Sequence, residues 1–134
     1  MEKILAMKHA DLVKIVEQHE GPVYVYDAAK IKAQYSRLTQ AFSGVKHLRL
    51  HYATKALNTI SILKYIQQLG AGLDTVSIQE VQLGLRAGFD PSTIIYTPNG
   101  VSLSEIESVA KMGVQINIDN LSILEQFGSK YPDI

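Results

Sequence analysis

The chain of 134 residues contains no cysteine and no tryptophan, has only four prolines, and is 7% aromatic. Without cysteine there is no disulfide framework, thiolate zinc site or thiol nucleophile, a composition that suits the cytoplasm. An excess of either charge is also missing, because thirteen Lys and Arg balance thirteen Asp and Glu. No basic footprint therefore points to nucleic acid, and no acidic block points to a solvating tail. The opening MEKILAMKHA holds no apolar run of signal-peptide length, and no stretch approaches the roughly 20 apolar residues that cross a bilayer, so no membrane partner is expected. The histidines, His9, His19, His47 and His51, never flank a carboxylate at i, i+4 spacing, so no metal site is expected. A small-molecule partner is what these absences leave.

What is present is a 46% hydrophobic, 19% charged composition, enough for a domain with a real core. DLVKIVEQHEG places Leu12, Ile15 and Val16 at helical spacing and stops at Gly21. PVYVYD, residues 22 to 27, alternates and predicts a short strand, after which Asp27 caps a helix carrying Ile31, Tyr35, Leu38 and Phe42 on one face. From there a strand and a helix repeat four times: KHLRLHYATK with NTISILKYIQQLG, AGLDTVS with IQEVQLGLRAG, STIIYTP with LSEIESVAKMG, and VQINID with LSILEQFGSK. Gly70, Gly88 and Gly113 end the first three helices. Asn58 is expected to cap the first of them. Ser77 with Glu80 and Ser102 with Glu105 predict capping boxes.

Consecutive βα units require a parallel sheet covered by helices, either an open doubly wound sheet or a barrel. Strand alternation favours the barrel. Leu48, Leu50 and Tyr52 oppose Arg49, His51, Ala53 and Lys55, and Val114, Ile116 and Ile118 oppose Gln115, Asn117 and Asp119. Apolar faces can meet helices while polar faces line a lumen, whereas strands of an open sheet read apolar on both sides. The fold expected is α/β: the first four units of a (β/α)8 TIM-type barrel, preceded by a short N-terminal helix and strand. Residues 1–26 form that N-terminal piece and 27–134 the first half of the barrel. A full barrel has eight units and about 250 residues, so the chain reads as part of a longer polypeptide.

Active sites of such barrels lie at the C-terminal ends of the strands. Lys55 is expected there, with Asp74, Ser77, Asn99 and Asp119 on the same rim. A lysine partly removed from water becomes nucleophilic enough to condense with a carbonyl, while one whose head reaches solvent has only its stem to contribute. The pattern alone leaves both open. His51, one pleat below Ala53, is expected to fill the lumen as a hydrogen-bonded histidine.

In order and spacing, PVYVYD, HYATKA, GLDTVSIQEVQLGLRAGF, IIYTPNG and VQINIDN resemble the N-terminal part of the fold-type III pyridoxal-phosphate decarboxylases, their diaminopimelate branch above all. The resemblance runs from about Gly21 to the last residue. It implies pyridoxal 5'-phosphate as cofactor, carried by the amine of Lys55, with Asp74 matching the aspartate that ends the second strand near that lysine. Glu80 matches a further acidic position. It also implies an amino-acid substrate, loss of CO2, and a homodimeric full-length parent of which this piece alone is inactive. Two features depart from the pattern or narrow it. Leu57 stands where the family has asparagine, and the Tyr-Gly-His-Gly run of the alanine racemases is missing. The family's ring-stacking histidine, glycine-rich phosphate loop, glutamate facing the ring nitrogen and C-terminal β-domain are expected beyond residue 134. Decarboxylases of ornithine, arginine or carboxynorspermidine, and a non-catalytic half-barrel that binds a partner, are the competing readings.

Overall fold

The computed structural model describes residues 7–133, and the chain divides after Leu48 into two units. The first holds two helices, α1 (His9–Glu17) and α2 (Ala28–Ala41). Asp27 caps α2 as expected, its carboxylate accepting the Lys30 N–H at 3.0 Å. Neither helix buries a residue. PVYVYD between them is not a strand: residues 22–27 carry no ladder, and Tyr24 is 90% exposed. Alternation makes a segment extended, but a strand also needs a neighbour to exchange hydrogen bonds with, and none of the described residues supplies one.

The second unit contains the repeating part. Strand β1 (His51–Ala53) leads through a 3-10 turn, Thr54–Ala56, into α3 (Ile60–Gln68). Then come β2 (Gly72–Thr75) and α4 (Ile78–Ala87), β3 (Ile94–Tyr96) and α5 (Leu103–Ala110), and β4 (Gln115–Ile116) and α6 (Leu121–Lys130). The strands are parallel and ordered β1-β2-β3-β4. Each new strand joins the same edge, so the order never reverses as it does at the switch point of a doubly wound sheet. Successive helices touch their neighbours in a row, α3 on α4, α4 on α5 and α5 on α6. This is a partial (β/α)8-type barrel.

The apolar face of the sheet meets the helices. Leu73, Ile94 and Tyr96 are fully buried, as are Leu63 on α3 and Val81 on α4, while Ile106 and Val109 on α5 are at most 1% exposed. Each such aliphatic side chain stabilises the fold by about 1.5–3 kcal/mol relative to exposure. Gly84 lets α4 sit close: a Cβ there would stand 2.6 Å from Leu73 Cδ1 and 3.2 Å from Ile94 Cδ1. The alternation expected at residues 114–119 is present, with Val114 buried and Ile116 and Ile118 half-buried against exposed Gln115, Asn117 and Asp119. Gly70, Gly88 and Gly113 leave their helices with positive φ of 90°, 97° and 73°. One expected cap is different. Thr59, not Asn58, occupies the N-cap of α3, and no side chain bonds there.

Candidate active site

The carboxyl ends of the four strands carry the residues the sequence singled out, beginning with Lys55. β1 ends at Ala53, two residues before the strand alternation does, and Lys55 is the middle residue of the 3-10 turn that follows. The turn closes through the Leu57 N–H to the Thr54 carbonyl, 3.1 Å. Lys55 is exposed. Of the two readings the pattern left open, the described residues show the one in which the head of Lys55 reaches solvent. Its two neighbours in the turn differ from each other: Ala56 is exposed, whereas Thr54 is 1% exposed and points back into the protein.

Asp74 lies on β2 in register with Ala53, so both side chains face the side of the sheet away from the helices. It is half-buried. The small Ala53 leaves space on this face beside the carboxylate. One register step below, His51 pairs with Gly72, and the imidazole lies over the glycine: a Cβ at Gly72 would stand 2.5 Å from His51 Cδ2 and 2.5 Å from the Thr93 carbonyl oxygen. Burial lowers the His51 pKa from its ordinary 6.5, Arg49 lowers it further, and the carboxylate of Asp74 opposes both. His51 thus fills the face as expected. Among the described residues no hydrogen-bond partner faces the half-buried ring.

The other rim residues serve the backbone or stand free of the sheet. Ser77 caps α4, its Oγ accepting the Glu80 N–H at 3.3 Å. Asn99 and Asp119 are exposed in the loops after β3 and β4. Asn117 Nδ2 donates to Thr97 Oγ1 at 3.1 Å, joining the ends of β3 and β4. The capping boxes form only by half. Ser102 Oγ accepts the Glu105 N–H, but the Glu105 carboxylate accepts the Tyr96 hydroxyl at 2.7 Å. Burial and that carboxylate push the Tyr96 phenol well above its ordinary range. The Glu80 carboxylate likewise leaves its own N-cap: Oε2 accepts the Val76 N–H at 2.8 Å and the Thr54 hydroxyl at 2.6 Å. Sequence reasoning missed this Thr54–Glu80 pair. Its one signal was a β-branched hydroxyl residue beside the lysine.

Among the described residues no three His, Cys, Asp or Glu side chains stand together as a metal site, and no helix is long and apolar enough to cross a membrane. A hollow of about 540 Å³ between β4 and α6, lined by Ile116, Ile118, Leu124, Phe127 and Tyr131 among others, offers no amine or carboxylate. The chemistry-bearing groups are those at the strand ends: an exposed primary amine in the turn after β1 and a half-buried carboxylate on the adjacent parallel strand β2.

A lysine and an aspartate stand on one rim of a parallel βα array, the arrangement of a partial (β/α)8 barrel with its polar residues at the strand ends. Residues 28–134 match the family described as pyridoxal-dependent decarboxylase, pyridoxal binding domain, and the chain belongs to that family. It is 36% identical over 125 residues to a diaminopimelate decarboxylase of Methanothermobacter thermautotrophicus, covering 92% of this chain and 29% of that protein. Over 113 residues it is 36% identical to a diaminopimelate decarboxylase of Helicobacter pylori, covering 84% and 28%. Among solved structures, Helicobacter pylori diaminopimelate decarboxylase complexed with L-lysine superposes with a TM-score of 0.80 at 33% identity, over 90% of this chain and 32% of that one. The lysine/ornithine decarboxylase of Vibrio vulnificus, complexed with putrescine, gives 0.81 at 26% identity, over 96% and 36%. The chain thus spans less than a third of the length of these curated relatives.

Proposed function

We propose that the chain is the lysine-bearing part of a pyridoxal-phosphate-dependent carboxy-lyase that converts meso-2,6-diaminopimelate to L-lysine and CO2. The observation that carries this reading is the position of Lys55: in a chain of the pyridoxal-binding family, it presents its amine at the carboxyl end of β1, where barrel active sites lie. The groups present fit an aldehyde cofactor, since an exposed primary amine can condense with it and the adjacent Ala53 leaves room on the same face. Lys55 would hold pyridoxal phosphate by joining Nζ to the aldehyde carbon with loss of one water. Asp74, in register with Ala53 on the neighbouring strand, would help to hold that amine in place. When bound, the cofactor supplies the electron sink for decarboxylation. Residues 27–134 would be the first half of the pyridoxal-binding barrel and residues 1–26 an N-terminal extension, in a cytoplasmic homodimer that takes a free amino acid.

The likeness to the Vibrio vulnificus enzyme supports a second reading, a decarboxylase of ornithine or another basic amino acid on the same fold. One experiment addresses both. The full-length protein is loaded with pyridoxal phosphate, and CO2 release is measured from diaminopimelate, ornithine, arginine and carboxynorspermidine. Diaminopimelate should be the preferred substrate, and preference for another would move the assignment to the second reading. Lys55→Ala should abolish the visible absorption of lysine-bound cofactor and reduce turnover to background, whereas Lys46→Ala and Lys64→Ala should leave both intact. Retention of the band in Lys55→Ala would overturn the role given to this residue.

A further inference from the structure

We propose that Glu80 is a positioning residue that acts through Thr54 to set the turn carrying Lys55. This inference rests on the reading of Lys55 as the cofactor-bearing lysine. Its basis is where the Glu80 carboxylate goes. A glutamate at the third position of a helix ordinarily folds back to the backbone N–H of its own N-cap, which here is Ser77. Glu80 Oε2 instead takes the N–H of Val76, one residue further back, at 2.8 Å, and reaches across to the Thr54 hydroxyl at 2.6 Å. Thr54 follows the last residue of β1 and precedes Lys55, so the bond runs from the first turn of α4 to the backbone that delivers the amine.

The contact is short and shielded. Thr54 is 1% exposed and Glu80 is half-buried, so water competes poorly for the hydroxyl. The Thr54 oxygen also lies 3.0 Å from the carbonyl oxygen of Asp74. A hydroxyl has one proton to donate, and the shorter contact with a carboxylate is the stronger of the two. Thr54 is therefore tied to the start of α4, with the Asp74 carbonyl on β2 as the weaker, competing acceptor. The far side of the turn is tied as well, because the Tyr52 hydroxyl donates to the Leu57 carbonyl at 3.1 Å. Lys55 sits between these two fastenings with its own side chain unburied. Rigid backbone under a mobile side chain suits an amine that must be presented in one place and yet be free to let go. Losing the Thr54 fastening leaves the turn tied by its own Leu57 N–H bond and by Tyr52, with nothing joining it to α4 at Thr54.

The test measures how fast Lys55 captures the cofactor, a step that can be followed without turnover. Full-length apoprotein is mixed with pyridoxal phosphate, the visible band is followed with time, and borohydride reduction with peptide mass analysis locates the modified lysine. Thr54→Val keeps the shape and removes the hydroxyl, and Glu80→Ala removes the acceptor. Each should slow capture by about tenfold, the scale of one charge-assisted hydrogen bond, and the double variant should be no slower than either single one. Thr54→Ser and Glu80→Gln, which retain a donor and an acceptor, should restore most of the rate. A general weakening of the fold would lower the melting temperature without this pattern of rescue and non-additivity. Capture at the wild-type rate by Thr54→Val, or independent effects of the two substitutions, would overturn the proposal while leaving the role of Lys55 standing. If the wild-type protein itself formed no band, the reading of Lys55 would fail instead.

Discussion

Helices α2 and α4 are built to the same plan and end differently. Each begins with a side-chain cap, Asp27 to the Lys30 N–H and Ser77 to the Glu80 N–H, and each has an apolar face. Yet α2, the longer at 14 residues, buries none of them, whereas α4, with 10, buries Val81, Gly84 and Ala87. Leu38 and Phe42 remain 45% and 48% exposed. The contrast separates two causes that are often run together. Local sequence is sufficient to make an amphipathic helix, but its apolar stripe stabilises the protein only where another surface covers it. The two units are thus expected to respond very differently to the same kinds of substitution.

The largest difference should come from truncating apolar side chains. Leu73→Ala, at a fully buried position against α4, should cost about 2–5 kcal/mol, enough to abolish a marginal folded state. Leu38→Ala should change stability by about 0.5 kcal/mol or less, because little area returns to water. Urea unfolding of the two variants makes the comparison directly. A cost for Leu38→Ala similar to that for Leu73→Ala would mean that α2 is covered in solution and the contrast is lost.

Next in size is Gly72→Ala, expected to destabilise the second unit by about 1–3 kcal/mol through overpacking. The added Cβ would meet both the His51 ring and the Thr93 carbonyl oxygen. A ring can turn aside more readily than a backbone carbonyl can. Combining Gly72→Ala with His51→Ala should therefore recover only part of the loss, and full recovery in thermal melts would assign the whole clash to the imidazole.

Removing a cap should cost about 1 kcal/mol in either unit, but it should be felt over different distances. Ser77→Ala weakens a helix packed on the sheet, so amide exchange should quicken across β2, β3 and α4 together. Asp27→Ala should quicken exchange in α2 alone. Spread of the Asp27→Ala effect into the strands would show that the two units share one cooperative transition.

The same contrast marks what could be read from the sequence. The repeat, the facing of residues 114–119 and the three helix-ending glycines were legible because each depends on near neighbours: a strand or helix period, or a residue that must take positive φ. PVYVYD misled because alternation is local and pairing is not. The capping glutamates were half legible. Ser77 and Ser102 do cap, but Glu80 and Glu105 bond to Thr54 and Tyr96, which lie 26 and 9 residues away in the chain. Lys55 was legible as a residue at the strand end, but not its exposure, because the turn that carries it begins one residue before it.

The smallest effect expected is a pH dependence confined to the second unit. In the folded protein His51 holds its proton less readily than in the unfolded chain, first through burial and then through the positive charge of Arg49, with Asp74 acting in the opposite sense. As pH falls below about 6.5 the unfolded chain therefore binds this proton first, and folding loses stability. The loss grows until pH passes the lowered folded-state value and then levels off. Above 6.5 the group contributes nothing to the slope. His51→Gln should remove this component, so the difference between wild-type and variant urea midpoints should be flat near pH 7.5 and should shrink on acidification. Asp74→Asn, which withdraws the opposing carboxylate, should extend the wild-type decline to lower pH. Substitutions in α2 should leave the slope unchanged. A difference between wild type and His51→Gln that stayed constant from about pH 7.5 to pH 5 would show that the imidazole over Gly72 is as accessible to protons in the folded sheet as in the unfolded chain.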